Sequence, residues 1–354
     1  MVRKLNMREV ARNANVSVAT VSRALRSPER VSAQTAEKVR KATEELGYVY
    51  NVTASDILKG RSTIVGLLVP TSSSTLFGET IHGVQDVTTE AGFSVIQGAT
   101  RYDEAKEDAL IESMLERRVH ALILTGVTYR NEERIRKLAK EQWARIVVVW
   151  EKPKVDLGIS YVGIDNRSAA ERMTNHLIDL GHRRIGMIVG PFSRTARVNH
   201  RLEGYRDALE NAGIAFDPEL VMERPPALLE GREAMEMLMN LEDRPTAVFA
   251  ASDVFAIGAL KAAKLRGLSV PEDVSIAGFD DMNFSAYQDP PISTVRVDAF
   301  RIGSLAAQIA VEPMGTPERS YCLDCDLVIR GSTGPYNPKL KTTDLHKSWE
   351  DNSK

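Results

Sequence analysis

Apolar positions follow one period at the start of the chain and a different one afterwards. Met7, Val10, Ala11 and Ala14 recur at helical spacing, Asn15, Val16 and Ser17 interrupt, and Val18, Val21 and Leu25 resume it. The pattern predicts two short helices joined by a tight turn over residues 6–26, with Ser17 capping the second. A third helix is predicted over Ala33–Leu46, with Ser32 as its N-cap and Gly47 as its stop; Val39, Ala42, Leu46 and Tyr48 pack it onto the first pair. A helix held across another by such a turn can present its end to a DNA major groove. Residues 51–62 are polar with one apolar tip and read as a hinge that is helical only when docked.

From residue 63 the strand-like runs IVGLLV, FSVIQGA, ALILTG and RIVVVW alternate with helical stretches near 79–91, 104–117 and 132–142. After a crossing around 162–164 the alternation restarts: a helix at 168–180, RIGMIVG, a helix at 201–212, AVFAA, a helix near 256–266, and VSIAGF. Two βα series of this kind predict an α/β fold with two doubly wound parallel sheets. Ligands in such sheets sit outside the carboxyl ends of the strands, so two lobes joined by crossings would share one small-molecule cleft. YCLDCDLVIRG reads as a further strand, and residues 336–354 as a polar, Pro-broken tail without a leucine heptad.

Charge sharpens this division. The chain of 354 residues carries a formal charge of only −2. Residues 1–60, however, hold 11 Lys/Arg against 6 Asp/Glu (+5), leaving 35 against 42 (−7) for the rest. A basic module on an acidic body fits a nucleic-acid contact confined to one end. No apolar run reaches the ~18 residues that span a bilayer, and the N-terminus lacks the apolar stretch of a secretory signal, so a cytoplasmic location is expected, with no membrane partner. The two cysteines form Cys322-Leu-Asp-Cys325; positions three apart on a strand face opposite ways, and there is no second pair to complete a zinc site. Neither a metal nor a cofactor is expected.

Enzymatic signatures are missing. The chain has no GxGxxG, GxxxxGK[ST] or GxSxG, and its six histidines show no HExxH spacing. Asp280-Asp281 could imitate a catalytic acid pair, but adjacent side chains diverge, which suits ligand holding better. A sugar-binding transport protein would share the two lobes, yet would need an export signal and no basic headpiece. A DNA binder without an effector would leave the cleft unexplained.

The ordered strings VSVATVSRAL, RVSAQTAEKVRKATEELGY, VGIDNRSAAERMTNHLIDLGHRRIGMIVGP, RLEGYRDAL, ASDVFAIGALKAAKLRGLSVPEDVSIAGFDD and PPISTV resemble the LacI/GalR transcription regulators over residues 5–333. RSPERVS and SDIL look most like the gluconate-repressor branch. The resemblance implies a helix-turn-helix headpiece (1–50), a hinge (51–62) and a two-lobed, periplasmic-binding-protein-like domain (63–335). The lobes would comprise 63–162 plus 291–325, and 163–290 plus 326–335. It also implies a homodimer on a near-palindromic operator in double-stranded DNA, acting as a repressor under a small-molecule effector.

Mapped by motif, Val18, Ala19 and Arg23 fall at base-reading positions. Arg23 alone can make a bidentate contact with guanine. Ser17, Thr20, Ser22, Ser32 and Thr35 would meet phosphates, which fix register; Ser17 and Ser32 would cap helices in any protein. In the hinge, Ala54 and Ile57 are implied contacts, with Ile57 where the family inserts a leucine wedge into the minor groove. Tyr50 in place of the usual proline and Asp56 beside the DNA depart from the pattern.

Implied effector contacts are Phe77, in the loop after the first strand, Arg201, Ser252, Asp253 and Asp280, with Glu151 at the end of RIVVVW. Carboxylates accept from paired hydroxyls and an aromatic covers a ring face, which suits polyols, sugars or sugar acids. Arg194, Arg197 and Arg201 cluster in one segment; Arg pairs bidentately with carboxylate or phosphate, pointing to an acidic effector. Arg201 ranks first as the cleft-facing member, then Arg194, then Arg197. Pro225-Pro226 stands near where sugar-binding members place an aromatic.

Overall fold

The computed structural model describes residues 5–48, 62–126, 132–151, 157–192 and 195–338. The chain divides after Ser62 into two compact units. Ala54, Ile57 and Arg194 lie outside the described residues, as do Tyr50 and Asp56.

The first unit is built from α1 (Met7–Asn13), α2 (Val18–Arg26) and α3 (Ala33–Leu46). Each start is fixed locally. Asn6 accepts from the backbone of Arg8 and Glu9 while Glu9 reaches back to the Asn6 N–H, a capping box. Ser17 accepts from Thr20 N–H at 3.0 Å and Ser32 from Thr35 N–H at 3.2 Å. Gly47 ends α3 at φ +63°, a left-handed conformation that costs a glycine little. Val10, Ala11, Val21, Ala24, Val39 and Ala42 are buried together as the core, with Leu46 and Tyr48 packed against it.

The second unit holds two parallel sheets. In the first, β1 (Ile64–Val69), β2 (Ser94–Ala99), β3 (Ala121–Thr125), β4 (Arg145–Trp150), β5 (Ser160–Ile164) and β11 (Ser320–Leu323) lie in the order β11-β5-β4-β3-β1-β2. The second has β6 (Ile185–Val189), β7 (Val221–Glu223), β8 (Ala247–Ala250) and β9 (Ser275–Ala277) in the order β7-β6-β8-β9. Strands buried on both faces read as continuous apolar runs, and β4 and β6 are buried along their whole length.

The helices of this unit are α4 (Thr75–Glu90), α5 (Glu104–Glu116), α6 (Glu132–Glu141), α7 (Asn166–Asp179), α8 (Ala196–Asn211), α9 (Leu228–Met239), α10 (Asp253–Leu265) and α11 (Ala299–Ala310). α4 packs on α11, α7 on α8, and α9 on α10. The close approaches use small residues. A Cβ on Gly303 would sit 2.1 Å from the Thr80 carbonyl oxygen, and one on Gly204 2.0 Å from that of Arg167.

The chain crosses between the lobes three times: between β5 and α7, through β10 (Thr294–Arg296), and between β11 and β12 (Asp326–Val328). β10 and β12 pair antiparallel as a two-stranded ribbon. The expected single strand YCLDCDLVIRG is therefore two strands broken at Asp324-Cys325, because the chain leaves one sheet there and joins the ribbon. Cys322 is exposed and Cys325 buried, and neither is in a disulfide.

Two helix starts also differ from the periodicity. α4 begins at Thr75, so Phe77 lies in its first turn rather than in a loop, and α8 begins at Ala196, five residues before Arg201. α9 and α11, which the pattern did not single out, pack against α10 and α4.

Candidate functional site

On the headpiece, α2 buries Val21 and Ala24 and leaves Val18, Ala19 and Arg23 exposed. The exposed set belongs to the N-terminal turns of a helix whose opposite face is core. Val18 is 41% exposed, although it is apolar. Ser17 and Thr20 join their hydroxyls at 2.8 Å, and Ser32 and Thr35 repeat the arrangement at 2.8 Å. Ser22 accepts from Arg26 at 3.5 Å. Both capping serines remain exposed, so each retains surface for a second partner.

In the second unit a cavity of about 990 Å³ opens between the two lobes, at the carboxyl ends of β1, β4, β6 and β8. Phe77, Arg201, Ser252 and Asp280 all line it. Phe77 meets Trp150 edge-to-face at 5.7 Å, and the Arg197 guanidinium lies 5.8 Å from the Phe77 ring centre. Trp150, Arg101, Tyr102 and Asp280 line the cavity with φ of +79°, +56°, +58° and +109°. Left-handed backbone in residues with a Cβ is costly and gathers where a site demands it.

Arg201 is fully engaged. Its Nε donates to Asn166 at 2.9 Å, Nη1 to the Ala251 carbonyl at 2.6 Å, and its plane lies 3.6 Å over the Phe279 ring centre. Nη2 stands 3.4 Å from Asp280 Oδ1. Burial raises the pKa of Asp280, opposed chiefly by Arg201 and by the Ser252 hydroxyl, which donates to Oδ2 at 2.8 Å. Oδ1 itself accepts no hydrogen bond.

That orphan has company. Thr75 Oγ1, Trp150 Nε1, Thr195 Oγ1 and Arg197 Nη1 are also buried without a hydrogen-bond partner, and all belong to cavity-lining residues. Helix starts converge here too. Ser74, Thr195, Ala227 and Ser252 are the N-caps of α4, α8, α9 and α10, all four line the cavity, and none of their side chains caps its own helix. By contrast Asn6, Ser17, Ser32, Asp103, Asp165 and Asp298 each cap the helix they precede. A helix N-terminus carries partial positive charge and unsatisfied N–H groups.

Two expected effector residues are placed elsewhere. Asp253 is fully buried behind the cavity wall, where the Met282 N–H and the hydroxyls of Ser285 and Thr294 occupy its carboxylate. Glu151, 1% exposed, accepts from the Arg197 N–H at 2.8 Å and so caps α8 from the opposite lobe. Arg197, ranked last of its cluster, lines the cavity with Arg201. The two are one helical turn apart on α8 and share its buried face, a spacing visible only once the helix is known to begin at Ala196. The buried His182 is consumed by Thr246, Ser275 and the Gly334 carbonyl. Among the described residues, no group of His, Cys, Asp or Glu could hold a metal ion, and no helix is long and apolar enough to cross a membrane.

Residues 6–51 match the bacterial regulatory proteins of the lacI family, and residues 174–333 match a periplasmic-binding-protein-like domain. The HTH-type transcriptional repressor CytR of Escherichia coli (strain K12) is 34% identical over 330 residues, 92% of this chain and 96% of its own. A LacI-family regulator from Silicibacter pomeroyi superposes with a TM-score of 0.84 at 25% identity, covering 93% of this chain and 99% of that one. The regulator CelR, solved as a cellobiose complex, does so with 0.68 at 30% identity, again covering 93% and 99%. The chain belongs to the lacI family of bacterial regulatory proteins, with a DNA-binding helix-turn-helix headpiece and a ligand-binding domain of the periplasmic-binding-protein type.

Proposed function

We propose that this protein is a cytoplasmic transcriptional repressor that binds a near-palindromic operator as a homodimer, and that an acidic sugar held in the inter-lobe cavity controls its operator affinity. Val18, Ala19 and Arg23 read bases, with Ser17, Thr20, Ser22, Ser32 and Thr35 on phosphates and the hinge residues Ala54 and Ile57 at the operator centre. Phe77, Arg197, Ser252 and Asp280 meet the effector, with Arg201 holding Asp280 in place.

One observation carries the acidic preference: three helix N-termini without a side-chain cap, those of α4, α9 and α10, converge on a cavity where Arg197 Nη1 is buried and unpartnered. Among the described lining residues Arg101, Arg197 and Arg201 face a single carboxylate, Asp280. An anion arriving there gains donors without displacing any. Asp280 Oδ1 accepts from a ligand hydroxyl, and Phe77 with Trp150 covers an apolar ring face. Effector binding favours one lobe angle and so one spacing of paired hinges, at a coupling energy of about 1–3 kcal/mol.

A thermal-shift and titration series of aldonates, uronates and neutral sugars tests the effector class. Stabilisation by the acids, weakened about 10- to 100-fold by Arg197→Gln, is expected, since a charge-assisted hydrogen bond contributes about 1.5–3 kcal/mol. The CelR–cellobiose likeness favours a neutral sugar as the second reading; stabilisation by neutral sugars alone selects it and refutes the first.

A further inference from the structure

Ser252 and Asp253 are neighbours with opposite directions. Ser252 grips the Asp280 carboxylate from the cavity side. Asp253 reaches behind the same segment, where its Oδ2 accepts from the Met282 N–H at 2.8 Å and from the Ser285 hydroxyl, and its Oδ1 from the Thr294 hydroxyl at 2.7 Å. Its own N–H donates to the Phe279 carbonyl at 2.7 Å. The approach is close enough to exclude any side chain at Gly278, whose Cβ would lie 2.1 Å from Asp253 Oδ1.

The three donors come from two separate stretches. Met282 and Ser285 follow Asp280 in the segment that presents it to the cavity, whereas Thr294 opens β10, the strand that leaves this lobe and runs into α11. Asp280 N–H donates to the Val295 carbonyl at 2.9 Å, so the segment and the crossing strand run side by side. Asp281 adds ion pairs of 2.7 Å to Arg296 on β10 and 2.7 Å to Arg330 beyond β12.

We propose that Asp253 is a positioning residue that joins the Asp280 segment to β10, so that a shift at the cavity wall moves the inter-lobe crossing and the reverse. It touches no ligand and acts through Asp280, and the functional meaning of the joint rests on Asp280 serving the effector. The joint itself is measurable without any effector, so its failure and the failure of the effector reading are separate results.

The test is peptide-resolved hydrogen exchange on the full chain carrying Thr294→Val, Ser285→Ala or Asp253→Asn. Met282 N–H bonds Asp253 and Ser285 N–H bonds the Met282 carbonyl, so neither touches Thr294. Asp281 N–H bonds the Thr294 hydroxyl directly at 3.4 Å and is therefore left out of the readout. Thr294→Val is expected to speed exchange over residues 282–287 about tenfold, and Ser285→Ala to speed it over 294–297, with β8 unchanged. Asp253→Asn keeps two or more of the contacts and should hold both segments within about threefold of the parent. Changes confined to the mutated segment, or spread equally over β8, overturn the joint. So does an Asp253→Asn chain in which one segment loosens while the other keeps the parent's rate.

Discussion

The Arg201 guanidinium stands 3.4 Å from Asp280 Oδ1, near enough for attraction, while that oxygen still accepts no hydrogen bond. The pair is thus balanced in charge but incomplete in hydrogen bonding, at a residue that lines the cavity. Every other bond of the pair is made to a protein partner: Arg201 to Asn166 and Ala251, Asp280 to Ser252.

Removing Arg201 therefore strips more than a ligand contact. Arg201→Ala leaves Asp280 as a lone buried carboxylate, a change that costs about 3–5 kcal/mol. Urea unfolding of the parent and variant measures it. Arg201→Lys should fall between them, because a single ammonium nitrogen cannot span the positions that the separate Nε, Nη1 and Nη2 of the guanidinium occupy.

Gly126 holds φ +82°, and a Cβ there would lie 2.6 Å from Glu151 Oε1. Gly126→Ala adds left-handed strain and pushes Glu151 away from the α8 N-terminus, for an expected loss of about 1–3 kcal/mol. Crystallography of the variant should show the Glu151–Arg197 contact lengthened.

Asp253 gives stability a particular pH dependence. Burial first, and then the Asp280 charge, push its carboxyl from 3.8 up to about 7. A folded value above the unfolded one means the fold holds this proton more tightly. That contribution is complete below a pH of about 4, where the unfolded group titrates. It is lost as pH rises through about 7, the folded value. The stability of the parent relative to Asp253→Asn should fall between pH 5 and 8 when both are followed by urea unfolding across that range.

On the headpiece, Arg23→Ala should leave thermal stability unchanged, since the side chain is exposed. It should lose about 1–3 kcal/mol of discrimination between operator and a guanine-substituted site, read by titrating labelled fragments at several salt concentrations. Ser17→Ala should instead cost the fold about 1 kcal/mol, through the lost Thr20 cap.

What could be read directly from the sequence was local. Ser17, Ser32 and Gly47 specify helix ends through bonds to residues three or four positions away, so their roles follow from the string alone. The apolar runs of β4 and β6 likewise announce strands covered on both faces. The division of YCLDCDLV was not visible, because one apolar run can serve two sheets and only their placement decides where it breaks.

The same division runs through the cleft. Sequence alone determined the two βα series, the helix-turn-helix, and the residue types gathered around the cavity: arginines, an acid, hydroxyls and a phenylalanine. Tertiary structure decided which of them face the open space. Ser252 and Asp253 are adjacent, yet one points to the cavity and the other into protein; Arg197 and Arg201 share a helix face, yet one is spent and the other keeps an unpartnered nitrogen. The physical reason is that a polar group's availability depends on which partners the packing brings to it, and those partners come from segments distant along the chain.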